Sequence, residues 1–246
     1  MSPRDRAEVP PAFYAVGRSG WRAWVTLLHL PYTAWHLAYV VVGGCLVADV
    51  AFGRLGLTVL AFLLAVGVGA HALDELHGRP LGTTIPSRVL VAAAVASVGA
   101  AAAIGVVVAL DTTLWLLPLI ALGALLVPAY DLELLGGRVH TDLGFALAWG
   151  AFPVVTSYVA QAGTIRAEAV LAACWAASLS LAQRRLSTSA RRLRRDVVAV
   201  TGTLELADGA RVQLDRAALV RPAEAALRLL AIATVVLAAT LLVLRL

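Results

Sequence analysis

The sequence predicts an all-α integral membrane protein, from its composition and from its long apolar segments. Of its 246 residues, 61% are hydrophobic and only 14% are charged, and the mean hydropathy is +0.86. Such values are typical of chains that cross a bilayer several times. Apolar segments long enough to cross ~30 Å of hydrocarbon as helices occur about seven times. They cover residues 24–50, 55–73, 88–110, 112–130, 142–163, 167–183 and 223–244.

These segments divide the chain into three predicted parts. Residues 1–183 form a membrane bundle with the first six spans, and residues 223–246 contain the last transmembrane helix. The part between them, 184–222, is polar and begins as a basic helix. It continues with an alternating stretch around Asp208 and Gly209, and Asp-Gly flanked by alternation favours a hairpin turn. We therefore predict a small cytoplasmic β-hairpin in this part.

The placement of positive charge predicts the orientation. All 20 basic residues are arginines, and with the N-terminus in the cytoplasm 17 of them lie on the inner side and three on the outer side. This is a strong positive-inside asymmetry, and it predicts a multi-pass protein of a prokaryotic plasma membrane. The inner segments are 1–23, 74–88, 131–141 and 184–222, and Arg228 lies beside the last of them.

Two further expectations follow from the polar segments. Residues 1–22 contain no short apolar core followed by a cleavage site, so the first span itself is expected to direct insertion. The arginine-rich stretch 184–195 is expected to bind anionic lipid headgroups, at about 1 kcal/mol per residue near the surface. Nucleic acid is not an expected partner.

The strongest functional signal is the run 71–86, His-Ala-Leu-Asp-Glu-Leu-His-Gly-Arg-Pro-Leu-Gly-Thr-Thr-Ile-Pro, directly after the second apolar segment. Adjacent carboxylates cost roughly 2.5–3.5 kcal/mol each at the membrane centre, so they are tolerated where a helix end meets water or a polar cavity. If the span continues as a helix, His71, Asp74 and Glu75 share one face, with Arg79 close behind.

This face predicts a site that binds a metal ion together with an anion. Carboxylate oxygens suit Mg²⁺, which binds one or two carboxylates together with substrate phosphates, and a guanidinium suits a diphosphate. We predict Asp74 and Glu75 as Mg²⁺ ligands and, with His71, as catalytic residues. The alternative is that the two acids only neutralise Arg79 and Arg88 at a helix end exposed to headgroups.

The order of these elements resembles the UbiA superfamily of intramembrane prenyltransferases over residues 20–204. The stretch 79–86, Arg-Pro-Leu-Gly-Thr-Thr-Ile-Pro, matches the segment that follows the first Asp-rich motif of that family. Residues 73–77 take the place of the motif itself. The pair Tyr130-Asp131 with Glu133, at the end of the fourth span, and residues 141–144 also look like that family.

The resemblance implies that Asp-rich loops bind Mg²⁺ and the diphosphate of a polyprenyl donor, whose prenyl group passes to an acceptor. The expected second motif falls near Arg195 and Asp196, so these residues, Arg79 and Arg191 are predicted to bind the diphosphate. The chain departs from the family in three ways. The first motif lacks its leading Asn-Asp and its final Asp, the second keeps only Asp196, and seven spans are predicted where the family has nine.

Two functions are therefore expected. The first is a membrane-embedded, prenyltransferase-like enzyme that uses Mg²⁺ to transfer the prenyl group of an isoprenoid diphosphate to an unknown acceptor. The alternative is a non-catalytic UbiA-like protein that binds a membrane lipid, or docks a partner through residues 184–222. The reduced second acidic motif favours the alternative, and the run 71–86 favours the enzyme.

Overall fold

The computed structural model describes residues 14–246, which are helical apart from one hairpin and the connecting segments. Arg4 and Arg6, counted above in the charge asymmetry, lie outside the described residues. The first half contains α1 (Gly20–Leu27), α2 (Leu30–Gly44), α3 (Phe52–Phe62), a first π-helical segment (Leu63–Ala70), α4 (His71–Leu76), α5 (Ser87–Asp111) and α6 (Leu116–Asp131).

The second half begins after a short 3₁₀ turn at Leu135–Gly137. It contains α7 (Asp142–Phe145), a second π-helical segment (Ala146–Ala151), α8 (Phe152–Ala162), α9 (Ala167–Arg195), β1 (Thr203–Glu205), β2 (Arg211–Gln213) and α10 (Arg216–Val243). Each of the two π segments continues without a break into the α-helices on either side of it.

Within residues 14–246, four helical stretches are long and apolar enough to cross a membrane: Phe52–Leu76, Ser87–Asp111, Asp142–Ala162 and Arg216–Val243. A fifth is reached if α1 and α2, which are bent by 42° at their junction, count as one span. The helices are those of a multi-pass membrane protein. The predicted segments 112–130 and 167–183 are also helical, but α6 has only 16 residues and α9 is not among the candidate spans.

Close backbone contacts hold the helices together. A Cβ atom on Gly43 of α2 would collide with the carbonyl oxygen of Val154 in α8, and one on Gly150 would lie 2.7 Å from the carbonyl oxygen of Ala176 in α9. Small residues at such crossings are how helices pack in lipid, where dispersion replaces the hydrophobic effect as the driving force. A core cluster that includes Trp35 and Leu227 packs where α2, α8, α9 and α10 meet.

The predicted hairpin is confirmed, although it is shorter than the alternating stretch. Thr203 pairs with Gln213, and Glu205 pairs with Arg211, in an antiparallel ladder of three residues per strand. The turn contains Asp208, whose side chain accepts a hydrogen bond from the backbone N–H of Ala210. The flanking residues are not in the ladder, and both strands are exposed.

Candidate functional site

Polar helix ends enclose a cavity of about 190 Å³ at one end of the bundle. The predicted inner segments 74–88, 131–141 and 184–222 each contribute to its wall, so they meet at the same end. We call this space the polar cavity. The charged residues that line it are Asp74, Asp131, Arg184, Arg191, Arg194 and Glu224.

The structure divides the predicted site residues into two groups. Three of them, His71, Asp74 and Arg191, line the polar cavity. The other four do not line it. They are Glu75, Arg79, Arg195 and Asp196.

The two acids of the predicted metal site are separated because they project in different directions from α4. Asp74 lines the polar cavity, whereas the side chain of Glu75 is completely buried against the following loop. Glu75 Oε2 accepts from the backbone N–H of Leu81 at 2.9 Å. Its Oε1 accepts from the backbone N–H and the hydroxyl of Thr83 at 2.7 and 2.8 Å. The expectation of a shared Asp74–Glu75 face is corrected accordingly: Glu75 holds the loop and is not presented beside Asp74.

Arg79, which was predicted to bind the anion, also forms hydrogen bonds within the loop. Its guanidinium donates to the carbonyl oxygen of Ile85 at 2.6 Å and to the hydroxyl of Ser87 at 2.7 Å. Its backbone has a φ of +54°, and Gly78 and Gly82 have φ values of +87° and +61°, so the loop turns tightly at three left-handed positions. The Arg-Pro-Leu run, the most specific part of the family resemblance, therefore builds the loop 77–86 and does not face the polar cavity.

The predicted ligands at the end of α9 lie near the same loop. Arg195 donates from Nη2 to the carbonyl oxygen of Pro80 at 3.2 Å, which ties the helix end to the loop. Asp196 follows the last helical residue and is exposed. Neither side chain lines the polar cavity, in contrast to what the resemblance implied. The reason is the rotation of the last turn of α9, because Arg191 and Arg194 line the cavity whereas the next residue, Arg195, does not.

Arg191 brings a guanidinium to the polar cavity. Within residues 14–246 it makes no ion pair, and its Nη2 donates only to the hydroxyl of Thr188 at 3.3 Å. Desolvation lowers the pKa of this guanidinium from its ordinary value, and the nearby charges of Arg184 and Arg195 lower it further, whereas the carboxylate of Asp74 raises it. Part of the side chain reaches solvent, which places it at the cavity mouth. An anion entering the polar cavity would relieve this crowding of like charges.

Arg184, two turns before Arg191 on α9, was not among the predicted ligands. Its Nε lies 3.4 Å from Asp142 Oδ1, and its Nη2 lies 3.1 Å from His140 Nε2. His140 in turn bonds the carbonyl oxygen of Tyr130 through Nδ1. This chain of contacts fixes the guanidinium at the cavity wall. The i, i+7 spacing of the two arginines is the sequence signal that could have identified Arg184.

Asp131 is the second carboxylate of the polar cavity. It is the last residue of α6 and only 9% exposed, and among the described residues its Oδ2 has no hydrogen-bond partner. The side chain of Asp74, likewise, makes no hydrogen bond or ion pair within residues 14–246. A buried carboxylate oxygen without a donor is costly. An acid directly after an apolar span was the available signal for this residue.

The carboxylates of the polar cavity can hold one divalent cation only if oxygen atoms of a bound ligand complete its coordination. No group of three or more His, Cys, Asp or Glu side chains that could hold a metal ion is found in the described part of the chain. The two carboxylates of Asp74 and Asp131 match the preference of Mg²⁺ for one or two acids with phosphate oxygens and water. A closed cage of protein ligands is not formed.

An apolar pocket of about 90 Å³ adjoins the polar cavity. It lies between α3, α5, α6 and α8, and its wall consists almost entirely of aliphatic and aromatic side chains. Val66 and Trp149 line both spaces, so the two share a wall at these residues. At the far end of the pocket, Val108, Leu116 and Ala160 pack together in one core cluster and close it. The combined space suits an amphiphile with a charged head and an apolar chain.

The π segments lie at the junction of these two spaces. Val66 belongs to the first π segment and Trp149 to the second. A π turn holds an additional residue, so it rotates the following helix relative to an unbroken α-helix, and such turns are frequent at functional sites. The fold and the site together define a multi-pass helical membrane protein with adjacent polar and apolar cavities. No family model, curated protein or solved structure matches the chain.

Proposed function

We propose that this protein binds an isoprenoid diphosphate and transfers its isoprenyl group to an acceptor, as a UbiA-like enzyme of seven membrane helices. The N-terminus would lie in the cytoplasm of a prokaryotic cell. The single observation that carries the proposal is the adjacency of a charged cavity and an apolar pocket, which share the wall residues Val66 and Trp149. An isoprenoid diphosphate has this same division between an anionic head and a hydrocarbon chain.

The diphosphate binds in the polar cavity. Arg191, which makes no ion pair in the described structure, and Arg184 donate charge-assisted hydrogen bonds to its oxygens. Asp74 and Asp131 would hold Mg²⁺ beside it. When bound, the metal supplies positive charge that neutralises the leaving diphosphate. Arg194 is already engaged in an ion pair with Glu224 and closes the wall between α9 and α10.

The reacting carbon lies at the junction of the two spaces. As the bond from the allylic carbon to the diphosphate breaks, positive charge develops on the carbon. The ring of Trp149, which lies nearly perpendicular to the Tyr130 ring at a centroid distance of 5.7 Å, supports such a cation through its electron-rich face. The arginines stabilise the negative charge that develops on the leaving group. The apolar pocket holds the chain and excludes water from the cation.

A second candidate function, lipid binding without reaction, is supported by the contacts of two predicted site residues. Glu75 and Arg79, two of the residues expected to carry chemistry, are engaged in the loop. Of the three carboxylates that line the polar cavity, Glu224 is paired with Arg194, so only Asp74 and Asp131 remain outside an ion pair within the described residues. A protein that binds the same lipid without reaction would need no more. In this alternative, residues 184–222 with their exposed hairpin would bind a partner.

The test measures binding and turnover of radiolabelled geranyl diphosphate by the protein in lipid nanodiscs. Arg191→Gln removes one charge-assisted contact, which predicts a loss of affinity of roughly 10- to 100-fold. Arg192→Gln is the matched control, because Arg192 is the adjacent residue on the same helix but does not line the polar cavity. Equal affinities of the two variants would refute the proposal. Turnover that requires Mg²⁺ and disappears in Asp74→Asn favours the enzyme, and binding that ignores both favours the alternative.

A further inference from the structure

The apolar pocket ends inside the bundle, and the helices that line it fix its depth. We infer that this depth selects the length of the ligand's hydrocarbon chain, so that three isoprene units fit, as in a farnesyl chain, and a fourth does not. Val108, Leu116 and Ala160 close the far end of the pocket and set the limit. We call these three residues the floor. The inference rests on the proposed function, because the proposed function places the allylic carbon at Val66 and Trp149.

The near end of the pocket lies beside the polar cavity. Val66, Val127 and Trp149 belong to one buried cluster there, and Val98 of α5 packs against it. All four side chains line the apolar pocket, and two of them, Val66 and Trp149, also line the polar cavity. The chain of a diphosphate whose head lies in the polar cavity therefore begins at this level of the bundle.

Two helices measure the depth of the pocket independently. Along α5 the lining residues run from Val98 at the near end to Val108 in the floor, which are ten residues apart. Along α6 they run from Val127 at the near end to Leu116 in the floor, which are eleven residues apart. At a helical rise of 1.5 Å per residue, these stretches are about 15 Å and about 16.5 Å long. The two helices thus give the same depth.

This depth corresponds to three isoprene units. A trans isoprene unit has four bonds along the chain, and an extended chain advances about 1.2 Å per bond, so each unit adds about 5 Å. A geranyl chain, with two units, ends about 5 Å short of the floor, and a farnesyl chain, with three, reaches it. The fourth unit of a geranylgeranyl chain must turn aside and give up its packing in the pocket.

A series of polar contacts just past the floor holds the floor in place. The hydroxyl of Thr112 donates to the carbonyl oxygen of Ala160 at 3.2 Å, and Arg54 Nη1 donates to the oxygen of that hydroxyl at 2.8 Å. Arg54 Nε also lies 3.8 Å from Asp111 Oδ2. These contacts join α3, the connection between α5 and α6, and α8. A longer chain therefore cannot displace the floor without breaking them.

The test measures geranyl, farnesyl and geranylgeranyl diphosphate as competitors of radiolabelled geranyl diphosphate in nanodiscs of one lipid composition, with binding to empty nanodiscs subtracted. Wild type should bind farnesyl diphosphate most tightly. Geranylgeranyl diphosphate should bind about 10-fold more weakly, because its last unit overfills the pocket. Geranyl diphosphate should also bind more weakly than farnesyl diphosphate, because it leaves the deepest third of the pocket without contacts.

Variants of the floor should change the preferred length. The double variant Val108→Ala/Leu116→Ala removes five carbon atoms, as many as one isoprene unit adds, and should raise the affinity for geranylgeranyl relative to farnesyl diphosphate by about 10-fold. The matched control is Val107→Ala/Leu117→Ala, which removes the same atoms from the adjacent residues. These are 58% and 39% exposed and do not line the pocket, so the control should keep the wild-type ratio.

Ala160→Leu tests the floor in the opposite direction. The larger side chain makes the pocket shallower, so it should weaken farnesyl diphosphate and leave geranyl diphosphate at its wild-type affinity. Because a geranyl chain ends before the floor, unchanged geranyl diphosphate binding also shows that each variant is folded. The ratios of variant to wild type are independent of how the longer chains partition into lipid, since the lipid is the same throughout.

The outcomes separate the inference from the proposed function. Equal affinities of wild type for farnesyl and geranylgeranyl diphosphate, or wild-type ratios in the floor variants, overturn the inference and leave the proposed function standing. If folded wild type binds none of the three diphosphates, the proposed function and the inference both fail. A floor-dependent limit in a protein that binds these diphosphates but never consumes them supports the inference and refutes the proposed reaction.

Discussion

The carboxylate of Glu75 joins the end of α4 to the loop that follows it, and its removal should weaken the fold more than the chemistry. The carboxylate accepts three hydrogen bonds, from Leu81 N, Thr83 N and Thr83 Oγ1, and it is completely buried. Glu75→Ala leaves these three donors without their acceptor. Glu75→Gln keeps an acceptor for Thr83 but turns an amide N–H toward Leu81.

The expected magnitude follows from these contacts. A hydrogen bond to a charged group contributes about 1.5–3 kcal/mol, and removal of one partner of a buried charged contact costs about 3–5 kcal/mol. We therefore expect Glu75→Ala to lower the free energy of unfolding by about 3–5 kcal/mol. Glu75→Gln should cost about half as much, because two of the three contacts survive. For a chain of this size, the alanine variant corresponds to a fall of roughly 10 °C in Tm.

The assay is the melting temperature of the protein in one detergent, followed by fluorescence, with the binding of geranyl diphosphate measured on the folded fraction. Asp196→Ala is the control, because Asp196 is exposed and its side chain makes no hydrogen bond or ion pair in the described structure. Asp74→Asn should show the opposite pattern, with an unchanged Tm and altered Mg²⁺-dependent binding. If Glu75→Ala kept the wild-type Tm and lost only binding, the structural role assigned to Glu75 would be refuted.

Two further predictions concern the walls of the bundle. Gly43→Ala should lower Tm because its methyl group meets the Val154 carbonyl, at a cost of about 1–3 kcal/mol, whereas Gly53→Ala, with open space around it, should leave Tm unchanged. Equal melting temperatures for the two variants would contradict the close contact of α2 and α8. Ala102→Phe should block the apolar pocket about 6 Å beyond Val98, because a helix rises 1.5 Å per residue. In a competition assay this variant should weaken the binding of farnesyl diphosphate more than the binding of geranyl diphosphate. Ala103→Phe, on the exposed side of α5, should leave the ratio of the two affinities at its wild-type value.

Hydropathy was sufficient to locate the helices, because burial in lipid requires long apolar segments whatever the tertiary structure. The Asp208-Gly209 signal located the hairpin for a similar reason, since a tight turn depends on its own residues. The direction of Glu75 was not predictable in this way. Its partners are backbone N–H groups of a loop, and the first π segment sets the rotation of α4. Neither the loop contacts nor the π segment produces a periodic pattern in the sequence.

The partners of Asp74 also depended on tertiary structure. Asp131 and Arg184 reach the polar cavity only because the ends of α6 and α9 meet the end of α4, which no local pattern encodes. The family resemblance drew attention to Arg79 and Asp196, where the motif stands in sequence. The structure gives the cavity-lining positions to other residues of the same chemical types, an aspartate at the end of α6 and an arginine two turns before Arg191.

The most direct test of the central claim is photolabelling with a geranyl diphosphate analogue that carries a diazirine at the end of its chain. If the diphosphate binds in the polar cavity and the chain enters the apolar pocket, label should appear on pocket residues of α5 and α6, such as Ala102 and Ile120. Excess geranyl diphosphate should remove this label, and Arg191→Gln should reduce it. Label spread along the lipid-facing side of α10, unaffected by competitor or by the variant, would contradict the account.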